Sequence, residues 1–289
     1  LLVHYMADQL NAITGGRIQL QMYFNGSMGT DTELCESTQA GDVAFFLGST
    51  AFTANFVPEL NAIDLPFLYQ DAQQFRDTMD DETVFRFYEE KYQDKGFELI
   101  GFFDQGMRQM TSNIKVQSPD DMQGQKIRVM ENQLHISIWQ ALGANPTPMS
   151  YTEVYSGLQL NMIEGQENPL SAILTSKFYE VQDYLCDAQS NLYMTCTCVN
   201  PTFFASLPED IQQIVLETID EMYPRSFEIQ KELNGAALDK ILAAKPDINV
   251  EELTDDERAA YAELAQNAYA VYGTTVGADG QAILDKLLE

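Results

Sequence analysis

The 289-residue sequence predicts an α/β protein of two lobes with mixed sheets. Three stretches predict it. Residues 18–47 run in β, α, β order, a second alternation of strands and helices follows a break at Asp104-Gln-Gly106, and a helical stretch over about 208–244 is long enough to bridge the two. No internal repeat or low-complexity linker separates the halves, so crossing strands and that helix are expected to join them. The expected division is residues 1–105 with about 192–230 in one lobe, and 106–191 with about 231–289 in the other.

The chain opens inside a helical pattern, Leu2, Met6, Leu10 and Ile13, that ends at Gly15-Gly16. Ile18, Leu20, Met22 and Phe24 then alternate with Gln19, Gln21 and Tyr23 as a strand would, and Asn25-Gly26 turns the chain. Thr30 and Glu33 have capping-box spacing for a helix to Gly41, and the apolar run 43–47 suits a strand buried on both faces. Ser49 follows at its carboxyl end, where open α/β sheets place ligands, which makes it a candidate contact. Pro58 and Pro66 mark 57–69 as loop. Helices over 72–79 and 83–95 precede a strand over 97–103 and the first interdomain crossing at Asp104-Gln-Gly106.

In the second half, Ser118-Pro119 starts a short helix. Residues 124–130 form a strand whose period of two sends Ile127 and Val129 one way and Arg128 the other. Its guanidinium must find an anion or water. Leu134, Ile138 and Leu142 face one side of a helix ending at Gly143, residues 144–149 are extended around two prolines, and Ser150 with Glu153 is spaced to cap a helix leading to a polar turn at Gln166-Glu-Asn168. A helix over 170–181, strands over 184–186 and 192–199, the long helix kinked by Pro224, a short strand at 249–251 and helices over 255–272 and 281–288 complete the expectation.

Composition removes several functions. Acidic side chains outnumber basic ones 44 to 16 with no basic run, which speaks against a nucleic-acid partner. Cys35, Cys186, Cys196 and Cys198 form no C-x-x-C pair and are expected buried and reduced. His4 and His135 lie far apart in helical patterns and are expected at the surface or a boundary. Nothing resembles a nucleophile with its base, a phosphate-cradling loop or a metal-ligand cluster, so no cofactor is expected. Asp80-Asp-Glu82 is expected as a solvated helix end. No run approaches the roughly 18 apolar residues of a membrane span.

A set of short motifs then narrows the class: Phe24-Asn-Gly26 with Gly29, Ala54-Asn-Phe-Val-Pro-Glu59, Asp64-Leu-Pro-Phe67, Lys126-Ile-Arg-Val129, Ala141-Leu-Gly-Ala-Asn-Pro146, Pro148-Met149, Glu153-Val-Tyr155, Gly165-Gln-Glu-Asn-Pro169 and Lys177-Phe-Tyr-Glu-Val181. Each is weak singly, but together they cover nearly the whole chain. The sequence resembles the substrate-binding proteins of TRAP transporters, the DctP family. The resemblance implies a type II periplasmic-binding-protein-like fold, a long helix spanning both lobes, and a closing motion that traps a small carboxylate for a membrane transporter pair. It implies an extracytoplasmic protein with no enzymatic activity, and sugar acids such as uronates ahead of C4-dicarboxylates and 2-oxo acids as ligands. By the same resemblance Arg128 pairs with the ligand carboxylate, Arg108 assists, Asn168 hydrogen-bonds the ligand, an aromatic residue stands at Tyr151, and Glu131 falls at a contact position whose residue type varies with the ligand. Family members begin with a strand that is not seen here, so a preceding segment carrying that strand and an export signal or lipid anchor is expected.

Arginine suits a carboxylate because its planar fork makes two parallel charge-assisted hydrogen bonds. From composition alone, a structural pairing of Arg128 with one of the many acidic side chains competes with ligand binding, and Arg108 has the same alternative. Asn168 before Pro169 can also shape the turn, and Tyr151 can be a packing residue with its hydroxyl at the cleft. Two other functions compete: a ligand sensor for a membrane receptor, and an enzyme acting on the same acid.

Overall fold

The computed structural model describes residues 2–24, 26–69 and 71–288, so Asn25 of the expected turn and of its motif lies outside the described residues, as does the Leu2 side chain. α1 (Leu2–Ile13) is followed by an extended segment, α2 (Asp31–Ala40), β1 (Phe45–Ser49), the one-turn α3 (Thr50–Thr53) and a 3-10 turn at Pro58–Ala62. Next come α4 (Ala72–Met79), α5 (Glu82–Asp94), β2 (Glu98–Ser112), β3 (Lys126–Val129), α6 (Gln133–Ala141), β4 (Asn145–Pro148), α7 (Val154–Gln159), β5 (Gly165–Pro169) and α8 (Leu170–Thr175). β6 (Tyr184–Asp187), β7 (Leu192–Val199), α9 (Pro201–Ser206), α10 (Glu209–Ala244), β8 (Asn249–Glu252), α11 (Asp255–Val276) and α12 (Ala278–Leu288) close the chain.

The strands lie in the order β1-β7-β2-β5-β3-β4, with β6 on β2 and β8 on β6. β2 is shared. Its first part pairs antiparallel with β7, and residues from Arg108 onward pair with β5 and β6. The changeover coincides with a register shift between Asp104 and Met107, where Gly106 adopts φ 102° and donates to Asp104 Oδ1 at 2.8 Å. The expected break is therefore a bulge inside one 15-residue strand, which re-aims the backbone without ending it. The side chain of Asn234 in α10 ties this bulge to α8, donating to the Gln105 carbonyl and accepting from the Ser171 N–H, both at 2.9 Å.

Each half of the sheet carries apolar packing, and Met130, Leu134 and Ile138 of the second half join the cluster on the first. Phe46, Leu99, Phe102 and Cys196 lie on one face of the first half, and Ile100, Phe103 and Val199 meet α1 and α10 on the other. In the second half Met110, Ile127, Val129 and Trp139 share one cluster, while Val154, Ile163 and Ile173 share another. α10 has 36 residues, about 54 Å at 1.5 Å per residue. It buries Ile211, Val215 and Ile219 against the first half and Ile241 against the second, so it spans both, running on through Pro224. α12 packs Ile283, Leu284 and Leu287 into the cluster around Phe75 and Tyr88 in the first half.

Several expectations are corrected. Residues 18–24 form no strand: Ile18 and Leu20 do pack against the α10 cluster, in the expected alternation, but no neighbouring strand pairs with them. β1 is an edge strand with Leu47 exposed, not buried on both faces. Gln166-Glu-Asn168 is no turn; it is the interior of β5, wholly buried between β2 and β3. Ser150 makes no capping bond, and a 3-10 turn at Tyr151–Glu153 starts α7 instead. The helix expected over 170–181 is split at Lys177, whose φ of 58° ends α8 before a second short turn. The cap on α2 is as expected, with Thr30 and Glu33 bonding each other's backbone N–H and Gly41 in the left-handed conformation.

Gly165 is where β2, β3 and β5 converge, and a Cβ there would lie 2.8 Å from the Thr111 carbonyl oxygen. Backbone cannot yield as a side chain can. Gly165→Ala is expected to destabilise the protein by about 1–3 kcal/mol, measured by urea unfolding; an unchanged midpoint would show that this junction tolerates a methyl group.

Candidate ligand-binding site

The strand register sorts the polar residues of the second half onto two faces. β3 pairs parallel with β5 through Ile127 and Gly165, and β5 pairs antiparallel with β2 through Glu167 and Met110 and through Pro169 and Arg108. Paired residues share a face, so Arg128, Gln166 and Asn168 lie on one side of the sheet, and Arg108 and Glu167 on the other.

The two arginines differ in what holds them. Arg108 is fully buried and ion-paired, with Nη1 3.1 Å from Glu167 Oε1 and its guanidinium 4.2 Å from the centre of the Tyr193 ring. The structural pairing weighed for Arg108 is present. Arg128 is 4 % exposed, and its Nε donates to the Met149 carbonyl at 3.0 Å. Its two terminal nitrogens make no hydrogen bond or ion pair among the described residues. Burial lowers the Arg128 pKa, and the Arg108 charge lowers it further. Such a group gains more than an exposed arginine from an incoming anion.

The other expected residues are distributed around this fork. The Tyr151 ring stands 5.9 Å from the Arg128 guanidinium, and its hydroxyl meets Ser176 Oγ at 2.7 Å. Asn168 donates to Gln166 Oε1 at 2.6 Å, and Gln166 in turn donates to Thr111 Oγ1 at 2.9 Å. This chain uses the Asn168 amide nitrogen and leaves its carbonyl oxygen as a fixed acceptor. Ser49 is buried, caps α3 by accepting from Ala51 N at 3.3 Å, and lies 3.4 Å from the Met130 sulfur across the lobe boundary. Glu131 has an exposed side chain, while its carbonyl accepts from Asn55 at 3.0 Å.

Sequence reasoning missed four ionisable neighbours. Asp31, at the first turn of α2, feels both Arg128 and Glu131; burial raises its pKa and Arg128 opposes the rise. Glu167 stood in a recognised motif, but its pairing with Arg108 needed the strand register. Burial pushes its pKa up to about 7 and outweighs the Arg108 pairing. Asp64 is buried with no hydrogen-bond partner on either oxygen among the described residues, and burial pushes it up to about 6 against the pull of Arg108. His135 is not at the surface: it is buried on α6, its Nε2 accepts from Trp139 Nε1 at 3.0 Å, and burial with Arg108 and Arg128 pushes its pKa down to about 3. His4 is exposed and stacks on Phe24. The four cysteines are free and buried, as expected. Among the described residues no group of three or more His, Cys, Asp or Glu side chains is placed to hold a metal ion.

A free, buried guanidinium beside a fixed amide oxygen and an aromatic ring, on a seam between two lobes, is suited to orienting a small anion. A family model, DctP, bacterial extracellular solute-binding protein family 7, matches residues 2–274. The chain belongs to this family. The ectoine/5-hydroxyectoine-binding periplasmic protein UehA of Ruegeria pomeroyi is 33% identical over 97% of this chain and 83% of its own. The ectoine-binding periplasmic protein TeaA of Halomonas elongata is 31% identical over 92% and 79%. The high-resolution structure of the periplasmic ectoine-binding protein from the TeaABC TRAP transporter of Halomonas elongata superposes with a TM-score of 0.93 at 29% identity, covering 99% of this chain and 94% of that one. A TRAP solute-binding protein from Roseobacter denitrificans with bound β-D-glucuronate gives 0.92 at 25% identity, covering 99% and 93%. The protein is thus an extracytoplasmic solute-binding protein of the TRAP type, with the two-lobe α/β fold expected. No helix among the described residues is long and apolar enough to cross a membrane.

His135 gives this DctP-family protein a titration test. A histidine pKa near 3 in the fold and about 6.5 in the unfolded chain means that the unfolded chain takes up the proton first, so this group's contribution to stability is lost as pH falls below about 6.5. Imidazole NMR is expected to show one histidine unprotonated from pH 8 down to pH 4; two histidines titrating near 6.5 would contradict the burial of His135.

Proposed function

We propose that the protein captures a small organic acid by its carboxylate, with Arg128 as the grip, and passes it unaltered to TRAP membrane subunits. The observation that supports this most strongly is the Arg128 fork, buried at the seam with both terminal nitrogens unused among the described residues. Asn168 is proposed to accept a hydrogen bond from the ligand, Tyr151 to wall the site, and Ser49 and Glu131 to contribute from the neighbouring edges. Arg108 is proposed to add positive potential from behind while remaining paired to Glu167. Asp31, facing Arg128, would accept from a hydroxyl or a cationic nitrogen on the same ligand.

The favoured ligand class is a ring carrying one carboxylate. Proteins similar to this one bind ectoine, glucuronate and, in a Desulfovibrio salexigens protein 27% identical in its solved structure, orotic acid. All three ligands place a single carboxylate on a six-membered ring. Uronates and ectoine are therefore the first candidates, ahead of C4-dicarboxylates and 2-oxo acids.

Closure is proposed to turn on the β2 bulge and on the entry to β7, with the lobes divided as the two halves of the sheet divide. α10 then acts as the common spine, and α12 moves with the first lobe. Ligand that binds only the closed protein raises its apparent stability by RT ln(1 + [L]/Kd). With a panel of uronates, aldonates, ectoine and dicarboxylates, at least one compound is expected to raise Tm. Arg128→Ala and Arg128→Lys should each abolish or sharply reduce that rise, because neither side chain makes two parallel hydrogen bonds to a carboxylate. An undiminished rise in both variants would remove Arg128 from the site.

A further inference from the structure

The seam holds more ionisable groups than an anion grip requires, and their arrangement has a consequence for binding. Arg108, Asp64 and Glu167 are each 4 % exposed or less. Glu167 Oε1 is paired with Arg108, but Glu167 Oε2, both Asp64 oxygens and Arg108 Nε have no hydrogen-bond partner among the described residues. One buried guanidinium is thus paired with Glu167 and acts electrostatically on Asp64, which in turn acts on Glu167, and neither carboxylate is fully solvated by the protein. Glu167 also borders a cavity of about 40 Å³ whose lining is mostly apolar and includes Phe67, Trp139 and Tyr261.

The neighbours on every packed element leave these two carboxylates as the proton acceptors. From β2 comes Arg108, from β3 Arg128, and from α6 His135, which burial keeps neutral. Tyr193 on β7 faces both arginines, with its pKa pushed up to about 12, and Tyr88 on α5 faces Asp64 and is raised well above the usual phenol value. Cys186 on β6 and Tyr261 on α11 border Glu167 through the cavity; burial pushes both up, the thiol to about 12. At the other side of Arg128 stands Asp31.

With both acids ionised, the two arginines and two carboxylates sum to zero. A ligand carboxylate docking on Arg128 adds one negative charge on the opposite face of the same strands, within electrostatic reach of the pair, since Arg128 feels Glu167 already. A third anion raises the affinity of the existing pair for a proton. We infer that capture of a carboxylate at Arg128 is coupled to uptake of one proton from solvent by the Asp64–Glu167 pair. The proton goes to one of the unpartnered carboxylate oxygens, so the occupied site is again neutral. This rests on the reading of Arg128 as the ligand grip, and it adds that affinity depends on pH where the ligand itself does not titrate.

The sign follows from the ordinary and shifted values. Below about pH 6 both acids are protonated before ligand arrives, and binding takes up nothing; above about pH 7 they are ionised in the empty site, and binding must draw a proton. Ka is therefore expected to fall by up to about tenfold per pH unit above neutrality and to level off on the acid side.

The test is calorimetric titration of the wild-type protein with D-glucuronate and with D-galacturonate, each a net anion, at pH 7.5, in phosphate and in Tris, whose different ionisation heats report protons exchanged. On the order of 0.5 to 1 proton taken up is expected. In Asp64→Asn and Glu167→Gln the uptake should shrink, and in the double variant it should vanish. Because those variants place an amide in a buried pair, infrared difference spectra of the wild type supply a second readout: ligand should convert a carboxylate band to a protonated carboxyl band. Binding with no proton exchange overturns the coupling while leaving Arg128 as the grip. Uptake that persists in a folded double variant moves the proton elsewhere, to Asp31, and overturns it too. Failure of every acid in the panel to bind overturns the grip and the coupling together.

Discussion

Two guanidinium groups lie buried within one seam of this protein, and only one of them has a carboxylate of its own. Burying an arginine without an anion is costly, and burying it in a pair is bearable only when the geometry is good. Arg108 has Glu167 at 3.1 Å and the Tyr193 face to lie on. Arg128 has one carbonyl at Nε and nothing at its two terminal nitrogens among the described residues. The asymmetry follows from strand register: Glu167 shares a sheet face with Arg108, and Arg128 shares the opposite face with Asn168. A single residue of slip in β5 would exchange these partners and hand Arg128 an internal acid. Much of the fold exists to prevent that slip, including the close approach of Gly165 to β2 and the chain of amides from Asn168 through Gln166 to Thr111.

The same strands connect the site to motion. β2 belongs to both halves of the sheet and changes partner at its bulge, which is why closure is proposed to bend the sheet there, where neither set of strand pairs is disturbed. Contacts such as Ser49 with Met130, and Asn132 with the Ala51 carbonyl at 2.8 Å, join the two sides across the seam. Apolar packing crosses the seam as well, since Met130, Leu134 and Ile138 join the cluster around Phe46, Phe52 and Leu60. Ligand would supply the remaining attraction between the lobes, as the DctP family to which the chain belongs requires of a protein that must hold its cargo and then let it go.

Much of this was legible in the sequence. The capping box at Thr30, the glycines that stop helices and the strand around Arg128 all rest on local chemistry, and they appear where local chemistry puts them. The failures were non-local. Gly165 to Pro169 has the composition of a turn, yet two neighbouring strands hold it extended. Residues 18–24 have the alternation of a strand, but no partner reaches them. Arg128 and Asn168 could be singled out by motif, whereas Glu167 became a partner of Arg108 only through a pairing 59 residues apart in sequence. His135 lies on a helix that gave no sign of which face would be buried against two arginines.

The account comes down to whether the spare hydrogen bonds of Arg128 are kept for a ligand. A crystal structure with a panel acid bound at saturating concentration tests this most directly. The ligand carboxylate is predicted to lie across both Arg128 terminal nitrogens at about 2.7–3.1 Å, with Arg108 still on Glu167. An Arg128 side chain turned onto Asp31 or Glu131, with the acid held elsewhere, would contradict it.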